Sequence, residues 1–107
     1  MFVSIEVSLY PLNKEFLPPI NEFINSLEKY DKVEIRTNVM STQLFGEFDD
    51  LIKILKVEVE KTFKKEINSV FNLKIINGDS RKYDWRAKSY ILLGLLFSIE
   101  SKRYKIL

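Results

Sequence analysis

Residues 3–10 carry the sequence VSIEVSLY, in which apolar and polar side chains alternate without a break. The four apolar residues fall on one side of an extended chain, and the residues between them fall on the other. β-Branched residues dominate the apolar side, which is typical of a strand with one buried face. Pro11 follows and has no N–H to donate to a neighbouring strand. The sequence therefore predicts that the chain opens with a half-buried β-strand.

A helix is predicted next, because Pro18 and Pro19 suit the first turn of a helix. The N–H groups of that turn have no partner within the helix, so no hydrogen bond is lost at a proline there. Apolar residues then recur at three- and four-residue spacing, and we expect the helix to stop near Tyr30-Asp31. This stripe consists of Ile20, Phe23, Ile24 and Leu27.

Two further strands are predicted at 33–39 and 42–47, and the short break at Met40 and Ser41 indicates an antiparallel hairpin. A second helix is predicted from Asp49-Asp50 through about Lys65, since carboxylates are favoured at a helix N-terminus. Its predicted apolar face is Leu51, Ile52, Leu55, Val59 and Phe63. The last strand is predicted at 70–77, with Phe71, Leu73 and Ile75 pointing inward.

The predicted order is β-α-β-β-α-β, which is the ferredoxin-like arrangement of the α+β class. We expect a four-stranded antiparallel sheet with two helices on one face, formed by residues 1–78. Residues 79–107 lie beyond this domain and are predicted to form a C-terminal helical extension, whose helix starts near Tyr83 to Arg86. Because residues 90–97 are apolar around most of a helix, we expect that helix to pack on the domain or on a partner chain.

The amino-acid composition excludes several classes of function. The 107 residues include no Cys and no His, so disulfides, thiolate zinc sites and catalytic relays through Cys or His are excluded. With 17 basic and 15 acidic residues the net charge is +2, which does not indicate a dedicated nucleic-acid partner. No targeting signal is visible and the longest apolar run is too short to span a membrane. We therefore expect a soluble, cytoplasmic protein with no membrane insertion, cofactor or metal site, and Asp49-Asp50 is interpreted as a helix start.

The face of the sheet away from the helices is predicted to be polar, with the first and third strands at its centre. Glu6 and Ser8 are then expected near Gln43 and Phe45. Two interpretations remain open. The face is solvated, or two such faces meet across a dimer and leave a pocket for a small polar heteroaromatic ligand.

Three separated blocks, residues 3–12, 37–50 and 69–77, resemble the YkoF-like thiamine/hydroxymethylpyrimidine-binding proteins in the same order. The resemblance covers roughly residues 1–77. It implies a ferredoxin-like domain that binds thiamine or its hydroxymethylpyrimidine moiety without catalysis and supports thiamine-precursor uptake or salvage. Since this chain has a single copy of the domain, the resemblance implies that a homodimer or tetramer supplies the second half of a sheet-to-sheet interface.

The resemblance also implies which residues bind the ligand, because contacts in this family come from the second hairpin and the open sheet face. Those residues are Glu6, Ser8, Thr37, Asn38, Met40, Ser41, Thr42, Gln43 and Phe45. A carboxylate and hydroxyls complement the edge of an aminopyrimidine. The cationic thiazolium of thiamine is favoured near Glu6 or Glu47 and on the rings of Tyr10 or Phe45.

Structural roles for the same residues stay open. Ser41 and Thr42 suit a turn whose hydroxyls bond the backbone, Met40 suits a core filler, and Glu6 suits an ion pair with Arg36 or Lys74.

Other functions stay open as well. They are a structural or regulatory oligomer without a ligand, an enzyme using Glu6 or Glu47 as acid or base, and RNA binding through basic clusters that include Tyr83 and Trp85. We predict a binding protein and not an enzyme.

Overall fold

The opening strand, β1 (Phe2–Pro11), lies inside a four-stranded sheet in the computed structural model, which describes residues 1–65 and 68–82. The other strands are β2 (Glu34–Thr37), β3 (Thr42–Glu47) and β4 (Ser69–Asn77). Their order across the sheet is β2-β3-β1-β4, and each neighbouring pair is antiparallel. With one helix after β1 and another after β3, the chain has the predicted α+β, ferredoxin-like fold.

The first helix, α1 (Leu17–Leu27), has prolines in its first turn as predicted but ends before the predicted stop at Tyr30-Asp31. Beyond Leu27 the Lys29 N–H donates to the Ser26 carbonyl at 3.4 Å, and the Tyr30 N–H donates to the Leu27 carbonyl at 3.2 Å. Bonds that span three residues form a tight turn, so the α-helix does not continue.

The second helix, α2 (Phe48–Lys65), begins directly after β3 and ends where the sequence predicts. Its apolar face was only partly predicted, because Ile52 and Phe63 are exposed and Ile54 is buried instead. The main omission is Glu58, whose carboxylate is buried on this helix. It accepts hydrogen bonds from the Tyr30 hydroxyl at 2.8 Å and the Lys61 ammonium at 3.1 Å, which satisfy it inside the protein.

The hydrophobic core lies between one face of the sheet and both helices. Alternate residues of β1 point into it, together with Leu44 on β3, as the period-two pattern predicts. The buried cluster consists of Val3, Ile5, Val7, Phe23, Leu27, Val33, Leu44, Leu51, Ile54 and Leu55. Phe71 on β4 packs against this cluster, whereas Leu73 and Ile75, also predicted to point inward, are exposed. The helices leave the outer part of β4 uncovered.

The predicted C-terminal helix of residues 79–107 lies outside the described residues beyond Lys82, and it stays a prediction, as does the domain boundary at residue 78. Ser80–Lys82, which precede the predicted start of that helix, form one 3-10 turn. No helix within the described residues is both long and apolar enough to cross a membrane.

Candidate functional site

The open face of the sheet, opposite the helices, carries the polar residues of β1. Glu6 is paired with Gln43 on β3 and with Lys74 on β4, and Ser4 is paired with Phe45. Directly paired residues of neighbouring strands share a face, so these side chains form one surface. Gln43 and Phe45 therefore lie on the open face as predicted, with Gln43 next to Glu6, but the neighbour of Phe45 is Ser4 and not Ser8.

A pocket of about 390 Å³ lies on this surface. Its floor includes Glu6, Gln43 and Phe45, and its walls include Arg36, Lys74 and Arg81. We call this concavity the sheet pocket. Its volume is in the range that holds a small organic ligand, and its lining supplies both donors and acceptors of hydrogen bonds.

Glu6 is the acidic group of the sheet pocket. One of its oxygens accepts a hydrogen bond from the Ser41 hydroxyl at 3.2 Å, and the other lies 3.8 Å from the Lys74 ammonium. The expected cross-strand ion pair is therefore present with Lys74, while Arg36 lies 3.8 Å from Glu34 instead. Because Glu6 keeps part of its surface exposed, it can still accept a donor from a ligand.

The turn after β4 folds over one end of the open face, where Ser4 holds it. The Ser4 hydroxyl donates to the Gly78 carbonyl at 2.9 Å and accepts the Ser80 N–H at 2.9 Å. Gly78 has a φ of 95°, a conformation that glycine adopts without the steric cost of a side chain. Ser4 is consequently only 4% exposed although it lies on the face away from the core.

Arg81 closes this end of the sheet pocket. Its guanidinium donates to both oxygens of Asp79, at 2.8 and 2.7 Å, and also pairs with Glu34. The hydrogen bonds from Arg81 hold the pKa of the Asp79 carboxyl below its ordinary value, and those with Asp79 and Glu34 raise the pKa of Arg81. The Arg81 guanidinium is thus fixed in place by two carboxylates.

Phe45 lies directly beneath Arg81. The guanidinium carbon of Arg81 is 5.0 Å from the centre of the Phe45 ring, and that of Arg36 is 5.6 Å away. Phe45 is therefore only 3% exposed. The guanidinium groups of Arg36 and Arg81 therefore lie between the Phe45 ring and a planar ligand that enters the sheet pocket.

A second cavity, of about 500 Å³, lies at the tip of the β2–β3 hairpin and is bounded by the end of β1 and the start of α1. We call it the hairpin cavity. Six of the predicted ligand residues line it: Ser8, Thr37, Asn38, Met40, Ser41 and Thr42. The other three, Glu6, Gln43 and Phe45, line the sheet pocket. The hydrogen bond between Ser41 and Glu6 joins the two groups.

The hairpin is shaped by Asn38, whose side-chain oxygen accepts the N–H groups of Met40 at 2.7 Å and Ser41 at 3.1 Å. This is an asparagine turn, and it leaves the Ser41 hydroxyl free to reach Glu6. Met40 is exposed at the tip, so its interpretation as a core filler is wrong. Thr37 and Thr42 share a hydroxyl contact of 3.2 Å on the helix side of the sheet, away from Glu6.

Arg81 is one of the residues of the sheet pocket that were not among the predicted ligand residues. In the sequence Arg81 stands beside Lys82 and two residues after Gly78-Asp79, a pair of residues that signals a turn. That signal indicates a change of chain direction but not the face on which the chain continues. Within the described residues, acidic side chains form no group of three or more able to hold a metal ion.

No protein-family model matches the chain, and no curated protein sequence matches it. Among solved structures, protein SP2199 from Streptococcus pneumoniae is 29% identical with a TM-score of 0.71, over 82% of this chain and 99% of that one. A Bacillus cereus domain of unknown function, DUF77, is 20% identical with a TM-score of 0.63, over 75% of this chain and 79% of that one.

A third similar structure is a Thermotoga maritima protein provisionally described as a thiamine biosynthesis/salvage protein. It is 14% identical with a TM-score of 0.67, over 86% of this chain and 99% of that one. At such identities the likeness establishes the fold. The chain has the ferredoxin-like fold of this group of small proteins.

Proposed function

We propose that this chain binds thiamine or its hydroxymethylpyrimidine moiety without transforming it, where the open sheet faces of two copies meet. In that role it serves the uptake or salvage of thiamine precursors. The observation that carries the proposal is Glu6, a carboxylate in the middle of the sheet, held by Ser41 on the floor of the sheet pocket.

The chemistry of the sheet pocket supports an aminopyrimidine. The exocyclic amine of such a ring donates hydrogen bonds, which the Glu6 carboxylate accepts, and its ring nitrogens accept hydrogen bonds, which the Gln43 amide donates. Hydrogen bonds to a charged group are stronger than those between neutral groups. The guanidinium groups of Arg36 and Arg81 offer flat surfaces for the face of the ring.

The likeness to known proteins supports the same ligand. The sequence blocks at residues 3–12, 37–50 and 69–77 resemble those of YkoF-like proteins, and the similar Thermotoga maritima structure carries a thiamine-related description. The hairpin cavity shares no lining residue with the sheet pocket and includes helix-side residues such as Thr42. The proposal therefore assigns the pyrimidine to the sheet pocket alone.

Calorimetric titration of the full chain with hydroxymethylpyrimidine, with thiamine and with a thiazole control tests the proposal. We expect binding of the first two compounds. In Glu6→Gln, which keeps the shape of the side chain, we expect binding weakened by about 1.5–3 kcal/mol, because a charged acceptor is lost. Glu28→Gln, at an exposed position just after α1, is the matched control and should bind like the natural chain.

Three results would count against the proposal or refine it. Absence of heat with both compounds contradicts it and leaves an oligomer without a ligand as the better function. Unchanged affinity in Glu6→Gln would indicate that the ligand binds outside the sheet pocket. Turnover of the pyrimidine would contradict the non-catalytic part alone.

A further inference from the structure

The outer edge of β4 differs from the other edge of the sheet. β4 is nine residues long, and among the described residues its strand pairing is with β1 alone. It presents four exposed apolar side chains: Val70, Leu73, Ile75 and Ile76. The opposite edge, β2, has four residues and exposes the charged Glu34 and Arg36. Long apolar edge strands are templates for pairing with another strand, whereas short charged edges resist it.

We propose that β4 pairs in antiparallel fashion with β4 of a second copy of this chain, about a two-fold axis at Leu73. The occupant is a second copy because the strand is complementary to itself in this register. The register sets Leu73 opposite Leu73, Phe71 opposite Ile75, Val70 opposite Ile76, and Asn72 opposite Lys74. Each exposed apolar side chain of β4 thereby gains an apolar neighbour.

Charge and apolar pairing together select this register over its neighbours. An axis at Lys74 places two ammonium groups directly opposite each other, which is destabilising. An axis at Asn72 sets Val70 opposite Lys74, Ile75 opposite Ser69 and Ile76 opposite Asn68, so three apolar side chains lose their apolar partners. The axis at Leu73 avoids both faults. Opposed residues lie on the same face of the sheet, so the helix layers of both copies stay on one side.

The pairing also alters the sheet pocket, and it goes beyond the proposed function because it uses the edge and not the face of the sheet. Lys74 and Ile76 line the sheet pocket on the side of β4. In the paired form Asn72 of the partner subunit lies beside Lys74, and Val70 of the partner subunit lies beside Ile76. Each pocket therefore gains an outer wall from the other copy.

Disulfide trapping in the full chain tests the axis, since the natural sequence has no Cys. In Leu73→Cys the two introduced thiols face each other across the axis, within the distance that a disulfide spans. We expect a covalent dimer on mild oxidation. Ile75→Cys is the matched control on the same face, because residue 75 faces residue 71 and its two copies are far apart. It should give little covalent dimer.

Sedimentation analysis of Leu73→Lys tests the interface without oxidation. Two opposed ammonium groups at the axis should weaken self-association by about tenfold or more. Ile52→Lys is the control, because Ile52 and Leu73 are both 41% exposed but Ile52 lies on α2. It should associate like the natural chain.

Two results would overturn the proposal. One is a monomeric natural chain whose outward β4 amides are protected from hydrogen exchange, which would mean that another part of the same chain covers the edge. The other is equal trapping in Leu73→Cys and Ile75→Cys. Equal trapping leaves the proposed function untouched, whereas a monomeric chain would also contradict its requirement for two copies. Calorimetric titration with hydroxymethylpyrimidine distinguishes the two failures, because it tests ligand binding and not the β4 edge.

Discussion

One end of the open face reaches the same burial as the helix side of the sheet, but by different means. On the helix side, aliphatic side chains such as Ile5 and Leu44 are covered by α1 and α2. On the open side, Ser4 and Phe45 are buried to the same extent, but they are covered by the turn of residues 78–82. Hydrogen bonds and ion pairs hold this turn in place. Apolar burial is non-directional and tolerates small shifts, whereas hydrogen bonds require their geometry. The open face is therefore the more easily rearranged of the two.

The largest expected effect is on the helix side. Leu44 is fully buried, so Leu44→Ala should lower the free energy of unfolding by about 2–5 kcal/mol through lost contacts and a cavity. Urea unfolding followed by circular dichroism measures this change. Val39→Ala, at a fully exposed position of the β2–β3 hairpin, should change it by less than about 0.5 kcal/mol. Equal effects in both variants would contradict the location of the core.

An intermediate effect is expected on the open side. Ser4→Ala removes both the donor to Gly78 and the acceptor for Ser80, so the free energy of unfolding should fall by about 1–3 kcal/mol. The Ser80 amide should also exchange its hydrogen faster. Ser8→Ala, on the same strand and face, is the control. If Ser4→Ala matches it in stability and exchange, the turn is not held by Ser4.

The smallest effect is a dependence on pH at the turn. Because Arg81 lowers the pKa of Asp79 from its ordinary value of 3.8, the ionised form stabilises the fold above that pH. This stability is lost as the pH falls through the lowered pKa. Asp79→Asn should therefore lose less stability than the natural chain as the pH falls below about 4. Asp31→Asn, at an exposed position, should follow the natural chain, and identical curves for all three would contradict the prediction.

The strands could be predicted from sequence because their alternation is local. β1 and β3 have the predicted side chains on each face, since a period of two is enough to assign a face. Helix α2 was harder, because Ile52 and Phe63 continue the apolar stripe and yet stay exposed, Phe63 even though its ring contacts Phe71 on β4. The burial of Glu58 depends on Tyr30, which is 28 residues away in the sequence, and no local pattern reports such a contact.

The polar strand residues of the candidate site could be predicted from the sequence, whereas the turn that covers one end of it could not. Glu6 and Gln43 follow from alternation and strand order. The position of Arg81 over Phe45 follows from a turn whose direction is set by Ser4, 76 residues before Ser80. The separation of Thr37 and Thr42 from Glu6 follows from the same alternation, because neighbours in a strand point to opposite faces.

The brevity of β2 limits how large an assembly can grow. A sheet whose two edge strands could both pair with further copies would grow without limit and form fibres. The β2 edge has only four residues, of which Glu34 and Arg36 are charged and exposed, so adding a further strand there is costly. In the proposed pairing both copies use their β4 edge, so the sheet would extend over two chains and no further.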